Sequence, residues 1–444
     1  MGDLSLTQAV AMGVGGIVGG GIFAVLGVAA RLSGNAAFLT YLLAGTVALL
    51  SGHSYYQMTA ATHEEGGSFT FLEHYLSNKN IAGVVGWVLL VGYIGTMAMY
   101  AYAFGSFAAG LFGFTAESTV RKLLSSSIIA VFIGVNMLGA DETGTSEDLL
   151  VYLKVLILSV FGAAGIWAIL TRSGLTLFEQ GVFNHGVLPP IMAIGAIFVS
   201  FEGFQLLTYE YRDMENGLET LKKAILISII LSTALYVLIA ALTTSLATPT
   251  QIITHKETIL AFVASKVFVS SFASSVMAAL IYLAALFSTA SAINATLFGT
   301  ARFSHKMASD NELPNVFSFR NKKGVPSYSL LIIGSLTVLF SFLGSLEEIT
   351  TFASVTFIVV FSAVNYIALK EAENQRNKLI AGLGIIGTVG SFLLLVNHLY
   401  VDKPQVLVFI AVLFSALGIL ETLYFEREGI EKDLEELEGG IGLG

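Results

Sequence analysis

Long apolar runs, parted by short polar or turn-forming segments, fill most of the chain, and run length sets the first expectation. A helix needs about 20 apolar residues to cross a bilayer core. About twelve spans are predicted, at roughly 7–30, 36–60, 82–113, 122–138, 148–170, 189–208, 221–246, 264–298, 327–344, 347–369, 379–399 and 404–425. The third and eighth runs exceed what a bilayer requires, so those helices are expected to tilt or to project beyond it.

The first run is interrupted from within. Between Gly13 and Phe23 six of eleven positions are glycine (Gly13, Gly15, Gly16, Gly19, Gly20 and Gly21). Each interior glycine weakens a helix by roughly 0.5–1 kcal/mol relative to alanine, and an unwound segment at membrane depth survives only where it is buried in protein or lines a wet cavity. Such a break turns amide N–H groups to one side and carbonyls to the other. The start of the second half-helix suits a carboxylate and the end of the first suits an ammonium or a cation. The alternative is close helix packing across a small-residue face. About 180 residues later Ser200-Phe-Glu-Gly-Phe204 interrupts the sixth run. Two broken spans in corresponding positions point to a transporter built as an inverted repeat, with the substrate where the breaks meet. The expected fold is therefore an all-α membrane protein of about twelve transmembrane helices. Residues 1–170 and 189–370 form a 5+5 inverted repeat, 379–425 form two accessory spans, and 426–444 form an acidic cytoplasmic tail.

Composition agrees with that class: 55% of the 444 residues are hydrophobic and only 12% are charged. The absence of cysteine excludes disulfides, thiolate metal sites and cysteine catalysis. No cleavable signal peptide is read, because the start lacks a basic region and the first apolar run is too long. The net charge of −9 is partly local, since the stretch 426–438 is rich in Glu, Asp and Lys and reads as a solvated helix. With the N-terminus inside, the inner segments carry fourteen cations: Lys79, Arg212, Lys222, Lys223, Arg302, Lys306, Arg320, Lys322, Lys323, Lys370, Arg376, Lys378, Arg427 and Lys432. The outer segments carry seven: Arg31, Arg121, Lys122, Arg172, Lys256, Lys266 and Lys403. That bias places both termini in the cytoplasm of a multi-pass protein of the cell membrane. The acidic loop 141–148 adds nothing to it.

Four stretches together resemble one family. Gly19-Gly-Gly-Ile-Phe23 looks like the first-span glycine motif of the amino acid-polyamine-organocation family, and Ser200-Phe-Glu-Gly-Phe204 resembles its sixth-span motif. Glu215-Asn216 followed by Lys222-Lys223-Ala224 resembles the cytoplasmic loop after it. Ser291-Ala-Ile-Asn-Ala-Thr296 with Arg302, Ala308, Asp310 and Leu313-Pro314 is similar to the eighth span and its loop. The chain departs from the pattern at Gly217, Asn311 and Glu202. The resemblance implies the fold of broken-helix sodium symporters and alternating access for an amino acid. The amides of Gly19, Gly20 and Gly21 would take the substrate carboxylate, and carbonyls near Gly15, Gly16 and Phe198 to Phe201 its ammonium. Among the aromatic residues around the second break, Phe201 is the expected wall of the site, and Phe198 and Phe204 are expected to pack.

Two charges fall inside spans. Lys154 lies about a turn into the fifth, where a lysine costs roughly 2.5–3.5 kcal/mol and is rarely kept without a partner or a role. One reading lets it snorkel beside Glu147 and Asp148. The other, which the resemblance supplies, puts its ammonium where related symporters hold sodium, between the first span and the hydroxyls of Ser288, Thr289 and Ser291, as a proton-coupling group. Glu202 sits in the second break, as an ammonium partner, a cation ligand or a proton carrier, or as a protonated group that only steadies the turn. It leaves room for cationic amino acids or amines, and small apolar amino acids are otherwise the default.

The function expected is secondary transport of amino acids, coupled to protons through Lys154. Sodium-coupled or uncoupled exchange is the alternative, and a sensor or channel on the same scaffold is a different class. An enzyme is not expected, since no metal-ligand spacing, nucleophile elbow or paired acids appear, the seven histidines show no ligand spacing, and no catalytic residue, cofactor, metal or nucleic acid is called for.

Overall fold

The computed structural model describes residues 4–64, 66–75, 79–115, 118–138, 144–172, 177–178, 181–309 and 313–421. Residues 141–143 of the expected acidic loop, the tail 426–444, Asp310 and Asn311 lie outside them, as do the side chains of Lys79, Glu147 and Asp148, and the rest of that loop, from Gly144, is the start of a helix.

The described residues form helices and no β-strand. The first pass is the pair α1 (Leu6–Ile17) and α2 (Gly21–Ser33), separated by a three-residue turn, and α3 (Ala37–Thr62) returns. A short α4 (Ser68–Tyr75) precedes the long α5 (Lys79–Leu111), followed by α6 (Thr119–Met137) and α7 (Gly144–Thr171). The sixth pass begins as α8 (Leu188–Ile197) and continues as 3-10 turns over Phe198–Phe201 and Phe204–Tyr209. Then come α9 (Leu218–Leu246), the short α10 (Pro249–Thr254) and α11 (Ile259–Ala264), α12 (Ser271–Ser309), α13 (Ser327–Leu343), α14 (Leu346–Glu371), α15 (Gln375–Asp402) and α16 (Pro404–Glu421). Among the described residues ten helical stretches are long and apolar enough to cross a membrane, and α1 and α13 are shorter apolar helices.

Local chemistry sets several boundaries. Ser5 with Gln8 opens α1 through a capping box, and Ser345 with Glu348 opens α14 the same way. Gly34, at φ 56°, closes α2 and turns the chain into α3. Small residues let neighbours approach closely: a Cβ on Gly45 would stand 2.3 Å from Thr233 Oγ1, which locks α3 onto α9.

The eighth helix differs from expectation. It begins at Ser271 rather than 264, because the chain turns after α11 while Val267, Phe268 and Val269 keep the run apolar. Ser274 Oγ fastens that turn, accepting from Phe268 N–H at 3.2 Å and donating to Phe268 O at 3.0 Å. Run length registers burial and cannot see such a corner. At its other end α12 runs on to Ser309, so Arg302 and Lys306 stand on helix rather than loop.

Candidate functional site

The two interruptions meet at the centre of the bundle, between α5, α9 and α12. Gly203 has φ 126°, a conformation that side chains rarely adopt, and a Cβ there would lie 2.4 Å from the carbonyl carbon of Gly16. The two unwound backbones therefore touch.

The end of α1 releases carbonyls, and each of those from Val14 to Gly19 has a donor within reach, Val18 and Gly19 sharing a single hydroxyl. Val14 O accepts from Val18 N–H at 2.8 Å and Gly16 O from Gly19 N–H at 3.3 Å. Gly15 O accepts from Lys154 Nζ, which reaches across from α7, at 2.9 Å. Ile17 O accepts from Tyr236 Oη of α9 at 2.7 Å. Val18 O accepts from Ser288 Oγ of α12 at 2.9 Å, and the same hydroxyl also contacts Gly19 O. A helix carries partial negative charge at its C-terminus, so the Lys154 ammonium stands where α1 attracts a cation. Lys154 is only 5% exposed, and it points into the protein rather than snorkelling to the interface.

These bonds redistribute three of the expected roles. Gly15 O, expected at a substrate ammonium, is engaged by Lys154. Gly19 N–H, expected at a substrate carboxylate, is turned back onto Gly16 O because the chain makes a tight turn there. Ser288 and Thr289, expected beside Lys154, bond backbone carbonyls instead: Ser288 those of the first break, Thr289 that of Ala285 in its own helix at 2.7 Å. Ser291 is half-buried on α12.

On the far side of the break α2 starts at Gly21. Ala24 N–H is the first amide to close back, onto Gly20 O at 2.8 Å, so the amides of Gly21, Ile22 and Phe23 form the positive start of the helix, that of Ile22 meeting the Tyr236 hydroxyl. Gly20 and Gly21 are tightly enclosed. A Cβ on Gly20 would stand 2.0 Å from Tyr100 Cδ1, and one on Gly21 2.6 Å from Tyr236 Oη and 2.7 Å from Ser200 O.

In the second break Glu202 N–H donates to Val199 O at 3.1 Å, and Gly203 N–H donates to Gln205 Oε1 at 2.8 Å. Glu202 is buried, and both its oxygens accept: Oε2 from Tyr100 Oη at 3.2 Å, Oε1 from Gln205 Nε2 at 3.3 Å. Ser354 Oγ of α14 accepts from Val199 N–H at 3.0 Å and donates to Ala196 O at 2.9 Å, so the break is braced on both flanks. Ser200 Oγ and Tyr41 Oη are buried polar atoms that lie near each other without a well-aligned hydrogen bond. Phe198 and Phe204 pack edge-on against Phe361, and Phe201 against Tyr236.

Tyr100, Tyr236, Gln205 and Ser354 are site residues that sequence reasoning passed over. Gln205, a polar residue two places after the glycine of the sixth-span motif, carried a readable signal. Tyr100 and Tyr236 stand in apolar runs like any interfacial or core tyrosine and carried none.

The breaks are packed shut. A cavity of about 560 Å³ lies apart from them, lined mostly by apolar side chains of α1, α7 and α9 such as Val10, Val155 and Leu231. Both faces of the bundle are tied. On one, Leu4 N–H donates to Asp213 O at 2.8 Å, Glu215 N–H donates to Leu4 O at 3.1 Å, and Arg212 donates to His63 O at 2.7 Å. On the other, Glu347 is shared between Arg31 at the end of α2 and Lys403, the latter at 2.8 Å. A Cβ on Gly27 would collide with the Lys256 carbonyl, so the α10–α11 segment sits directly on α2.

A family model described as amino acid permease matches residues 4–420. An uncharacterized protein of Methanocaldococcus jannaschii is 29% identical over 432 residues, which cover 95% of each chain. The inner membrane transport protein YbaT of Escherichia coli K12 is 28% identical over 405 residues, 89% of this chain and 90% of that one. The serine/threonine exchanger SteT of Bacillus subtilis is 24% identical over 422 residues, 90% and 92% of the two chains.

Proposed function

The chain belongs to the amino acid permease family and is a multi-pass membrane protein of amino acid transport, not an enzyme; from that premise we propose that it carries small neutral amino acids by alternating access and couples them to protons through Lys154. The substrate carboxylate lies on the amides of Gly20 and Gly21 at the start of α2. Its ammonium faces the carbonyls of the stretch from Phe198 to Phe201, with Ser200 Oγ beside them and Phe201 as a wall. Residues 1–170 and 189–370 act as the two repeats that rock about this centre, and both termini face the cytoplasm.

The observation that carries the coupling is the bond from Lys154 Nζ to Gly15 O. A tethered ammonium at the negative end of α1 does there what a bound metal cation would do, and it differs from one in that it can lose its charge by releasing a proton. Protonated, it holds α7 to the first break. Deprotonated, it loses the charge that draws it to the helix end, which weakens that tie and lets the halves move, so proton binding favours one arrangement over the other. Preference for neutral substrates is supported by Glu202, whose two oxygens are turned onto Tyr100 and Gln205 rather than held out toward a substrate side chain. The Bacillus subtilis exchanger that the chain resembles is named for serine and threonine, amino acids of the same class.

A thermal-shift screen of the twenty amino acids and common amines in sodium-free buffer tests the substrate class. Small neutral amino acids should raise the melting temperature, since a ligand at one hundred times its dissociation constant stabilises the folded state by about 2.7 kcal/mol. Stabilisation by arginine, lysine or amines alone would reassign the site to cationic substrates.

A further inference from the structure

At the membrane face where α9 and α15 begin, two exposed cations flank one trough. Lys222 stands near the start of α9 and Arg376 in the first turn of α15, and neither has an ion-pair partner among the described residues. The neighbouring Lys223, by contrast, is held by Glu219 at 2.7 Å. α9 and α15 both pack on α3, and Lys222 of the one and Arg376 of the other both stand near His53 of α3, so α3 forms the floor between them. Its outward side chains here are the half-buried Tyr56 and His53. Lys222 Nζ lies 5.4 Å from the Tyr56 ring centre. His53 Nε2 lies 3.2 Å from Oδ1 of Asn377, the residue after Arg376, and both cations are close enough to act electrostatically on the His53 ring. Deeper in the bilayer the walls turn apolar: Leu379 on α15 is 64% exposed and Ile230 on α9 is 52% exposed.

Two like charges facing one ring repel each other unless an anion bridges them. The anion that fits must also present an apolar body, because the trough continues from the cations straight into the lipid-facing walls. A free phosphate would satisfy only the rim. We propose that this trough is a binding site for an anionic glycerophospholipid, its headgroup phosphate between Lys222 and Arg376 and an acyl chain along α3 between α9 and α15. Lipid charge at a membrane surface attracts juxtamembrane cations of this kind, and Tyr56 is the sort of amphipathic ring that settles at headgroup level.

Native mass spectrometry of the delipidated full chain in neutral detergent tests this with phosphatidylglycerol, phosphatidylcholine and inorganic phosphate as probes. Phosphatidylglycerol should be retained in preference to phosphatidylcholine, and millimolar phosphate should not displace it. The double variant Lys222→Gln, Arg376→Gln should hold it about thirtyfold less tightly, or about 2 kcal/mol at 1.4 kcal/mol per tenfold. Lys306→Gln, which removes an exposed cation from α12, should leave retention unchanged, and an unaltered melting temperature in phosphatidylcholine shows that each variant is folded. Equal retention of the two lipids, displacement by phosphate, wild-type retention by the double variant, or a loss in Lys306→Gln as large as in the double variant would each overturn the proposal.

Discussion

At Gly20 one methyl group decides whether the first break can close. The Tyr100 ring lies where a Cβ would be, 2.0 Å from Cδ1, and it cannot retreat without losing its bond to Glu202. Gly20→Val should therefore leave the protein in the membrane but abolish substrate binding, and Gly20→Ala should regain thermal stability when combined with Tyr100→Ala. Absence of rescue in the pair would show that the glycine is needed for its backbone alone. Glu202→Gln tests the neighbouring carboxylate. The amide that replaces it can keep its oxygen on the Gln205 amide and turn its NH2 onto the Tyr100 hydroxyl as acceptor, so what is lost is the charge-assisted strength of the bonds, about 1–3 kcal/mol of stability. Neutral and cationic substrates should be weakened alike; a selective loss of cationic ones would place Glu202 against the substrate. The glycine run and Glu202 were legible in the sequence because each is anomalous inside an apolar span. Tyr100 was not, because nothing in a run of apolar residues says which ring will lie over a distant glycine.

The interrupted helices depend on neighbours that supply what continuous helices supply for themselves. Tyr236 is the clearest case, a single hydroxyl close to Ile17 O at 2.7 Å and Ser200 O at 3.3 Å, one carbonyl from each break. Tyr236→Phe should lower stability by about 1–3 kcal/mol, the cost of leaving buried carbonyls without a donor, read as a fall in melting temperature with the helix content retained. An unchanged melting temperature would mean that the carbonyls find other donors. The breaks themselves could be read from glycine content. Their bracing could not, since Ser288, Ser354 and Tyr236 reach them from helices remote in the chain. The same limit explains the start of α12, where an apolar sequence hid a corner held by the Ser274 hydroxyl.

At the scale of the whole molecule the closed centre is matched by closure on both faces, and the tie on the Arg31 face divides one carboxylate between two cations. Opening that face would separate Arg31 on α2 from Glu347 while Lys403 keeps Glu347 paired, so the cost of opening is reduced rather than removed. Glu347→Gln should favour the open arrangement. The chain has no native cysteine, so a Val28→Cys variant on the buried face of α2 can report it: labelling by a membrane-impermeant thiol reagent should quicken several-fold with Glu347→Gln, and an unchanged rate would detach the triad from gating. The central claim is that the ammonium tied to Gly15 couples transport to protons. Its most direct test is accumulation of a labelled small neutral amino acid in sodium-free proteoliposomes under an imposed pH gradient, wild type beside Lys154→Ala. The wild type should concentrate substrate when the outside is acidified, and the variant should still bind substrate yet fail to concentrate it. A sodium requirement in the wild type, or undiminished gradient-driven accumulation in the variant, would contradict the account.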